Sequence, residues 1–266
     1  MLIHQKGFTQ WLAKYHPDAG ALGNLVRSRP PLVVLAGDVG SGKTELAETI
    51  GDAVARQEDI EITLFPLSLS SRGQGRVGEM TQLISAAFDY TIEAATKLKS
   101  STGKARGGVL LLVDEADALA QSREAAQMHH EDRAGVNAFI RGIDRLGNGA
   151  LPAAVIMCTN RLNAVDPAIR RRAAEVLRFG RPTDLQRATV LKNLLTAAGF
   201  TTHDVQELVH ATGPTKERPY GFTFSDLTQR LLPTIVLDAY PSKALSSKRA
   251  LEIAKHIEPT PPFKDE

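Results

Sequence analysis

Eight consecutive residues, Gly37-Asp38-Val39-Gly40-Ser41-Gly42-Lys43-Thr44, fit the pattern G-x-x-x-x-G-K-[ST] at every fixed position. Those residue types in that order can hold a polyphosphate. Glycines let backbone N–H groups converge on phosphate oxygens, and a helix opening at the lysine points its positive end at them. Lys43 would reach the β- and γ-phosphates of ATP, and Thr44 would set its hydroxyl on Mg²⁺. The competing reading is a Gly-rich strand–helix turn with no ligand. A second half of the site weighs against it.

That half is Asp114-Glu115, directly after the apolar run Val109-Leu110-Leu111-Leu112-Val113. In open parallel sheets ligands sit at the carboxyl ends of the strands. Asp114 would therefore face Thr44 and hold Mg²⁺, while Glu115 would accept a proton from the attacking water or orient it. The alternative is an aspartate that caps the next helix beside a solvated glutamate. Asn160 follows another apolar stretch, in Met157-Cys158-Thr159-Asn160-Arg161. Its neutral amide can bond the γ-phosphate or the water without adding negative charge, although Asn also forms turns after strands. Arg170-Arg171-Arg172 is a run that is usually solvated. An arginine at a domain edge can instead serve the site of an adjacent subunit, where it changes the rate by roughly 10³–10⁵. Arg171 or Arg172 is the candidate for that role.

The elements that must position these groups alternate from Pro31 to Phe179, which predicts a parallel sheet between helices. Strands are expected at Leu32–Ala36, Glu61–Phe65, Val109–Val113, Ala153–Cys158 and Glu175–Phe179. The third is apolar throughout and is expected at the centre of the sheet. Helices are expected at Glu45–Arg56, from Glu79 to Lys99, and from Glu131 to Asp144. From Arg181 only helical signals remain, at 182–198, 202–211, 225–239 and 243–257, ahead of a Pro-rich tail expected to fray. The boundary falls near Gly180, giving residues 1–180 as an α/β nucleotide-binding domain and 181–266 as a small helical lid.

Composition narrows the class. Apolar residues make up 42 % of the 266, enough for a packed core, and a net charge of +2 gives no strong electrostatic pull toward nucleic acid or membrane. The single cysteine, Cys158, excludes an internal disulfide. No signal peptide and no spanning run are evident, so a soluble cytoplasmic protein is expected. Cys158 lies in an apolar strand and reads as core rather than nucleophile. His129-His130 lack the spacing of a zinc site. Trp11 sits on an amphipathic N-terminal segment expected to pack on a ring or a partner.

Taken in series, GDVGSGKT, LLLVDEAD, CTNR and DPAIRRR ahead of a helical region resemble an AAA+ ATPase. The resemblance covers nearly the whole chain and implies a five-stranded P-loop domain, a lid, ATP and Mg²⁺ as ligands, and a homo-hexameric ring. A narrower likeness lies in Asp114-Glu115-Ala116-Asp117-Ala118-Leu119, Ser122-Arg123 and the stretch Asp132–Asp144. It is similar to the pachytene-checkpoint ATPases, whose rings remodel HORMA-domain proteins. The bacterial versions in cyclic-oligonucleotide anti-phage operons would dismantle complexes of a HORMA protein with a nucleotidyltransferase and keep signalling off. By this likeness Arg172 matches the family's finger best, with Arg171 next. The same position in AAA+ rings makes the loop Ser70–Gly78 a pore loop, with Arg76 and Val77 as substrate contacts, against the plain alternative of a surface loop.

Two departures accompany the likeness. Where the family often places a lid arginine, this chain has Phe224-Ser225-Asp226-Leu227, with Arg230 one turn later. About thirty residues precede the first strand, against a substantial adaptor-binding domain in eukaryotic relatives, so substrate capture is expected to differ. The rival function is a nucleic-acid-handling ATPase for replication or transposition, kept open by Arg170–Arg172 and by Arg72 and Arg76. A nucleotide-gated scaffold with negligible turnover is a third.

Overall fold

A computed structural model describes residues 2–69, 79–100, 103–119 and 130–263. The expected substrate contacts Arg76 and Val77, with the rest of their loop, lie outside the described residues, as does His129. The chain divides into two compact units, Met1–Ala36 with Lys43–Arg178, and Gly37–Gly42 with Phe179–Glu266. The tip of the phosphate loop thus groups with the C-terminal residues. No helix among the described residues is long and apolar enough to cross a membrane.

The first unit holds a five-stranded sheet in the order β2-β3-β4-β1-β5. The strands are β1 (Leu32–Gly37), β2 (Glu61–Ser68), β3 (Gly107–Asp114), β4 (Ala153–Thr159) and β5 (Ala173–Phe179). β1 pairs with β4, β4 with β3, and β3 with β2, all parallel. β3 is an interior strand, as its continuous apolar run requires, but the middle position belongs to β4. β2 extends past its expected end through Pro66, which lies opposite Leu112. An edge strand tolerates that proline because the missing N–H can fall on the unpaired side.

The unit's helices are α1 (Gln5–Tyr15), α2 (Gly20–Arg27), α3 (Lys43–Glu58), α4 (Glu79–Leu98), α5 (His130–Asn148) and α6 (Pro167–Arg172). The alternation of β3 divides its side chains between two faces. Val109, Leu111 and Val113 join Ile84 and Phe88 of α4 and Val136, Phe139 and Ile143 of α5 in one buried cluster. The Phe88 and Phe139 rings meet edge to face at 5.5 Å. Each such side chain contributes roughly 1.5–3 kcal/mol on burial. On the other face α3 lays Ala47, Ile50 and Val54 along the sheet, and an apolar cavity of about 420 Å³ remains between them. Trp11 on α1 is half exposed and stacks on Phe8 at 6.0 Å.

The second unit is helical: α7 (Asp184–Leu195), α8 (Thr202–Ala211), a π-helical turn over Asp226–Leu231, α9 (Leu232–Ala239) and α10 (Ser247–His256). Thr183 with Gln186 and Thr201 with Asp204 form reciprocal capping boxes that start α7 and α8. Leu191, Phe200, Leu208, Phe222, Leu231 and Ile253 are among its core residues. The helix expected across 225–239 is not uniform. Pro233 has no N–H to give to a preceding turn, so a regular ladder cannot run through it. The tail expected to fray is held at least to Phe263. Thr260 donates from its N–H and its hydroxyl to the carboxylate of Asp226, at 3.1 and 2.8 Å.

Candidate functional site

The phosphate-loop sequence forms the local structure its glycines permit. Gly40 and Gly42 take φ values of 67° and 93°, a region that side chains with a Cβ rarely enter. α3 opens at Lys43 immediately afterwards. Ser41 is buried and its hydroxyl has no hydrogen-bond partner. Lys43 is only 7 % exposed. An orphaned buried hydroxyl on this turn is costly in a bare protein, and an anion bound there would offset the cost.

The carboxyl ends of three strands align in the sheet. Ala36 of β1 lies opposite Thr159 of β4, and Val113 of β3 opposite Met157. The residue that ends β3 is Asp114, and the Thr44 hydroxyl lies 3.2 and 3.4 Å from its two carboxylate oxygens. A hydroxyl and a carboxylate side by side are hard oxygen donors. Mg²⁺ uses one or two carboxylates with phosphates and waters rather than a full protein cage. The residues present therefore fit Mg²⁺ carried with a polyphosphate.

Glu115 follows with φ of 52°. For a residue with a Cβ that conformation costs about 1–3 kcal/mol and is found where function holds it in place. Its N–H donates to Asp114 Oδ1 at 2.8 Å, and its Oε2 lies 3.4 Å from the Ser68 hydroxyl at the end of β2. The side chain is exposed, open to solvent water.

Asn160 is held by a residue that motif spacing did not single out as functional. Asp117 accepts from the Thr159 hydroxyl at 2.6 Å, from Asn160 N–H at 3.1 Å and Nδ2 at 3.2 Å, and from Arg161 N–H at 3.2 Å. Asn160 keeps its carbonyl oxygen and a second amide N–H for a ligand. The available signal was the third acid of Asp114-Glu115-Ala116-Asp117, one short turn beyond the strand.

The three arginines separate. Arg172 makes a forked ion pair with Asp144 on α5, Nε to Oδ1 at 2.7 Å and Nη2 to Oδ2 at 2.9 Å, and a third bond to Ala168 O. The Asp144 hydrogen bond drives the Arg172 pKa further up. Arg171 is exposed and makes no ion pair with a described residue. Arg230, near the expected lid position, bonds Asp226 and Glu258 O. Cys158 is buried, and burial with the nearby Asp114 charge pushes its thiol up to about 12, so it is no nucleophile at neutral pH. The apolar cavity beside α3 contains none of the phosphate-loop residues and no charged group.

Comparison with known proteins gives matches over the same residues. The family model described as "ATPase family associated with various cellular activities (AAA)" matches residues 33–181. The chain is 68% identical to CD-NTase-associated protein 6 of Escherichia coli strain MS 115-1 over 265 residues, 100% of this chain and 85% of that protein. In the solved structure of the E. coli MS115-1 HORMA:CdnC:Trip13 complex, one chain superposes with a TM-score of 0.88 at 67% identity, covering 99% of this chain and 86% of that one. The structure of Rhizobiales Trip13 matches with a TM-score of 0.72 at 56% identity, covering 98% of this chain and 86% of that one.

Proposed function

The chain belongs to the AAA family of ATPases, and from that membership we propose that it hydrolyses ATP with Mg²⁺ to dismantle complexes of a HORMA-domain protein with a nucleotidyltransferase. The carrying observation for the chemistry is the Thr44–Asp114 pair beside the strained Glu115. The substrate class rests on 68% identity to a protein named for its association with a CD-NTase and on the likeness to a chain of a HORMA:CdnC:Trip13 complex.

Bound MgATP brings the γ-phosphoryl group and the metal that neutralises its developing charge. Lys43 gives a positive charge to the phosphate oxygens. The Thr44 hydroxyl and the Asp114 carboxylate would hold the metal. Glu115 takes the proton of the attacking water or orients it, and Asn160, fixed by Asp117, positions that water or the γ-phosphate. The chain acts as a homo-hexamer in which a neighbour's arginine completes the site. Arg172 or Arg171 is the arginine proposed for this role; Arg172 would have to leave Asp144 to serve a neighbour, whereas Arg171 makes no ion pair with a described residue. In the cell the protein would restrain anti-phage cyclic-oligonucleotide signalling. Nucleic-acid handling is not favoured, since the relatives carry names tied to a CD-NTase and a HORMA complex.

The test is disassembly. A purified HORMA–nucleotidyltransferase complex is mixed with the chain and MgATP and resolved by size-exclusion chromatography. The complex separates with the native chain and persists with Glu115→Gln, which still binds ATP. A complex left intact by a hydrolysing native chain would overturn the substrate assignment, and absence of hydrolysis would overturn the enzyme assignment.

A further inference from the structure

Asp38 is electrostatically out of place. It puts a carboxylate inside a loop whose backbone would surround phosphate anions. The charge is answered by Arg181, 143 residues further along the chain and in the same compact unit. Arg181 Nε donates to Asp38 Oδ2 at 2.7 Å. Its two other nitrogens donate to Gly221 O at 2.6 Å and to Thr260 O at 2.7 Å. The guanidinium also lies 5.0 Å from the centroid of the Tyr220 ring. The pair is well enclosed, at 14 % exposure for Arg181 and 16 % for Asp38. The second carboxylate oxygen, Oδ1, accepts from Val39 N–H at 2.9 Å and from Phe263 N–H at 3.1 Å. Nearby, Gly40 O accepts from Ser225 N–H at 3.2 Å.

We propose that Arg181 is a positioning residue of the nucleotide site that neutralises Asp38 in the phosphate loop and ties the loop tip to the C-terminal segment Thr260–Phe263. The inference rests on the nucleotide reading above and extends it. Outside their own pair the guanidinium and the carboxylate bond backbone groups of Gly221, Thr260 and Phe263, so the fork holds the loop as well as its charge. A charge enclosed to this degree is poorly screened by salt. If Arg181 were lost, Asp38 would lose its forked cation and present more negative charge to the phosphates. If Asp38 were lost, Arg181 would add a positive charge there. The two losses therefore act on affinity with opposite signs. A pair that merely glues the unit together would weaken binding from either side.

The experiment uses the full chain and a fluorescent ADP analogue, N-methylanthraniloyl-ADP, read by anisotropy. Arg181→Gln weakens binding about tenfold, Asp38→Asn tightens it about threefold, and the double variant binds as the native chain does, against the roughly threefold weakening that two independent changes would sum to; that departure from additivity is what a double-mutant cycle assigns to direct coupling. Arg181→Lys, which keeps the charge and loses the fork, stays closer to native than Arg181→Gln and serves if the latter melts at assay temperature. Weakening by both single changes, or a double variant no better than Arg181→Gln, would overturn the proposal. A native chain that fails to bind the probe overturns the nucleotide reading and this one with it. A native chain that binds, with Lys43→Ala that does not, confines any failure to the Arg181 assignment.

Discussion

The carboxylate of Asp117 holds the amide of Asn160, with Asn160 Nδ2 at 3.2 Å from Oδ2 and Asn160 N–H at 3.1 Å from Oδ1. The same carboxylate takes the Thr159 hydroxyl at 2.6 Å. One side chain a short turn beyond β3 thus sets the end of β4. Without Asp117, the Asn160 amide can rotate, and a misplacement of about 1 Å can cost on the order of 10² in rate. Asp117→Ala is expected to lower kcat about 10–100-fold while the Kd for nucleotide changes less than about threefold. Steady-state hydrolysis and nucleotide titration on one preparation check this. A parallel collapse of Kd would assign Asp117 to folding of the site instead.

Glu115 combines exposed chemistry with a left-handed backbone, φ 52°. Glycine has no penalty in that region. Glu115→Gly is therefore expected to gain about 1 kcal/mol of stability while losing roughly 10²-fold or more in hydrolysis. Urea denaturation reads the first effect and phosphate release the second. A less stable glycine variant would remove the strain argument.

Arg171 and Arg172 should part company in their variants. Arg172→Ala breaks a half-exposed forked pair with Asp144 and is expected to cost about 0.5–1 kcal/mol of stability. Arg171→Ala is expected to leave melting unchanged and to reduce hydrolysis about 10³-fold. Mixed rings of Arg171→Ala and Glu115→Gln chains then recover part of the activity, because each supplies what the other lacks. No recovery on mixing would place the arginine in its own chain's site.

Asp226 is fully buried yet ionised. Burial opposes its charge, but the Thr223 N–H, the Thr260 hydroxyl and N–H, and Arg230 together hold its carboxyl below the usual 3.8. A group with a depressed folded pKa contributes stability above its unfolded value and loses it as pH falls through the folded one. The stability difference between the native chain and Asp226→Asn should therefore be constant from neutral pH down to about 5 and shrink below about 4. Melting curves across that range measure it. A difference that grows on acidification would contradict the ionised assignment.

How much was readable before folding follows from how local each feature is. The phosphate loop, the strand that precedes it and the helix that opens at Lys43 are one chain-local unit, and their glycine pattern has few other uses. Asp114 and Glu115 could be read from the apolar run that delivers them to a strand end. α8 was legible to the residue because Thr201 and Asp204 cap it in sequence. α2 was not expected as a helix. Its eight residues include Gly20 and Gly23, and no side chain caps its start, so no local signal announces it. It buries Gly23 and leaves Leu22 and Leu25 exposed, so no apolar stripe marks it either.

By itself the sequence determined the chemistry available to this protein, because the spacing of glycines, lysine, threonine and paired acids constrains a short stretch of backbone directly. Only the tertiary structure decided which groups those residues answer to. It gave Asn160 to Asp117, Arg172 to Asp144 and Asp38 to Arg181. Each of those pairings joins residues 28 to 143 positions apart. A carboxylate chooses its partner by distance and enclosure, and neither quantity exists until the chain has folded.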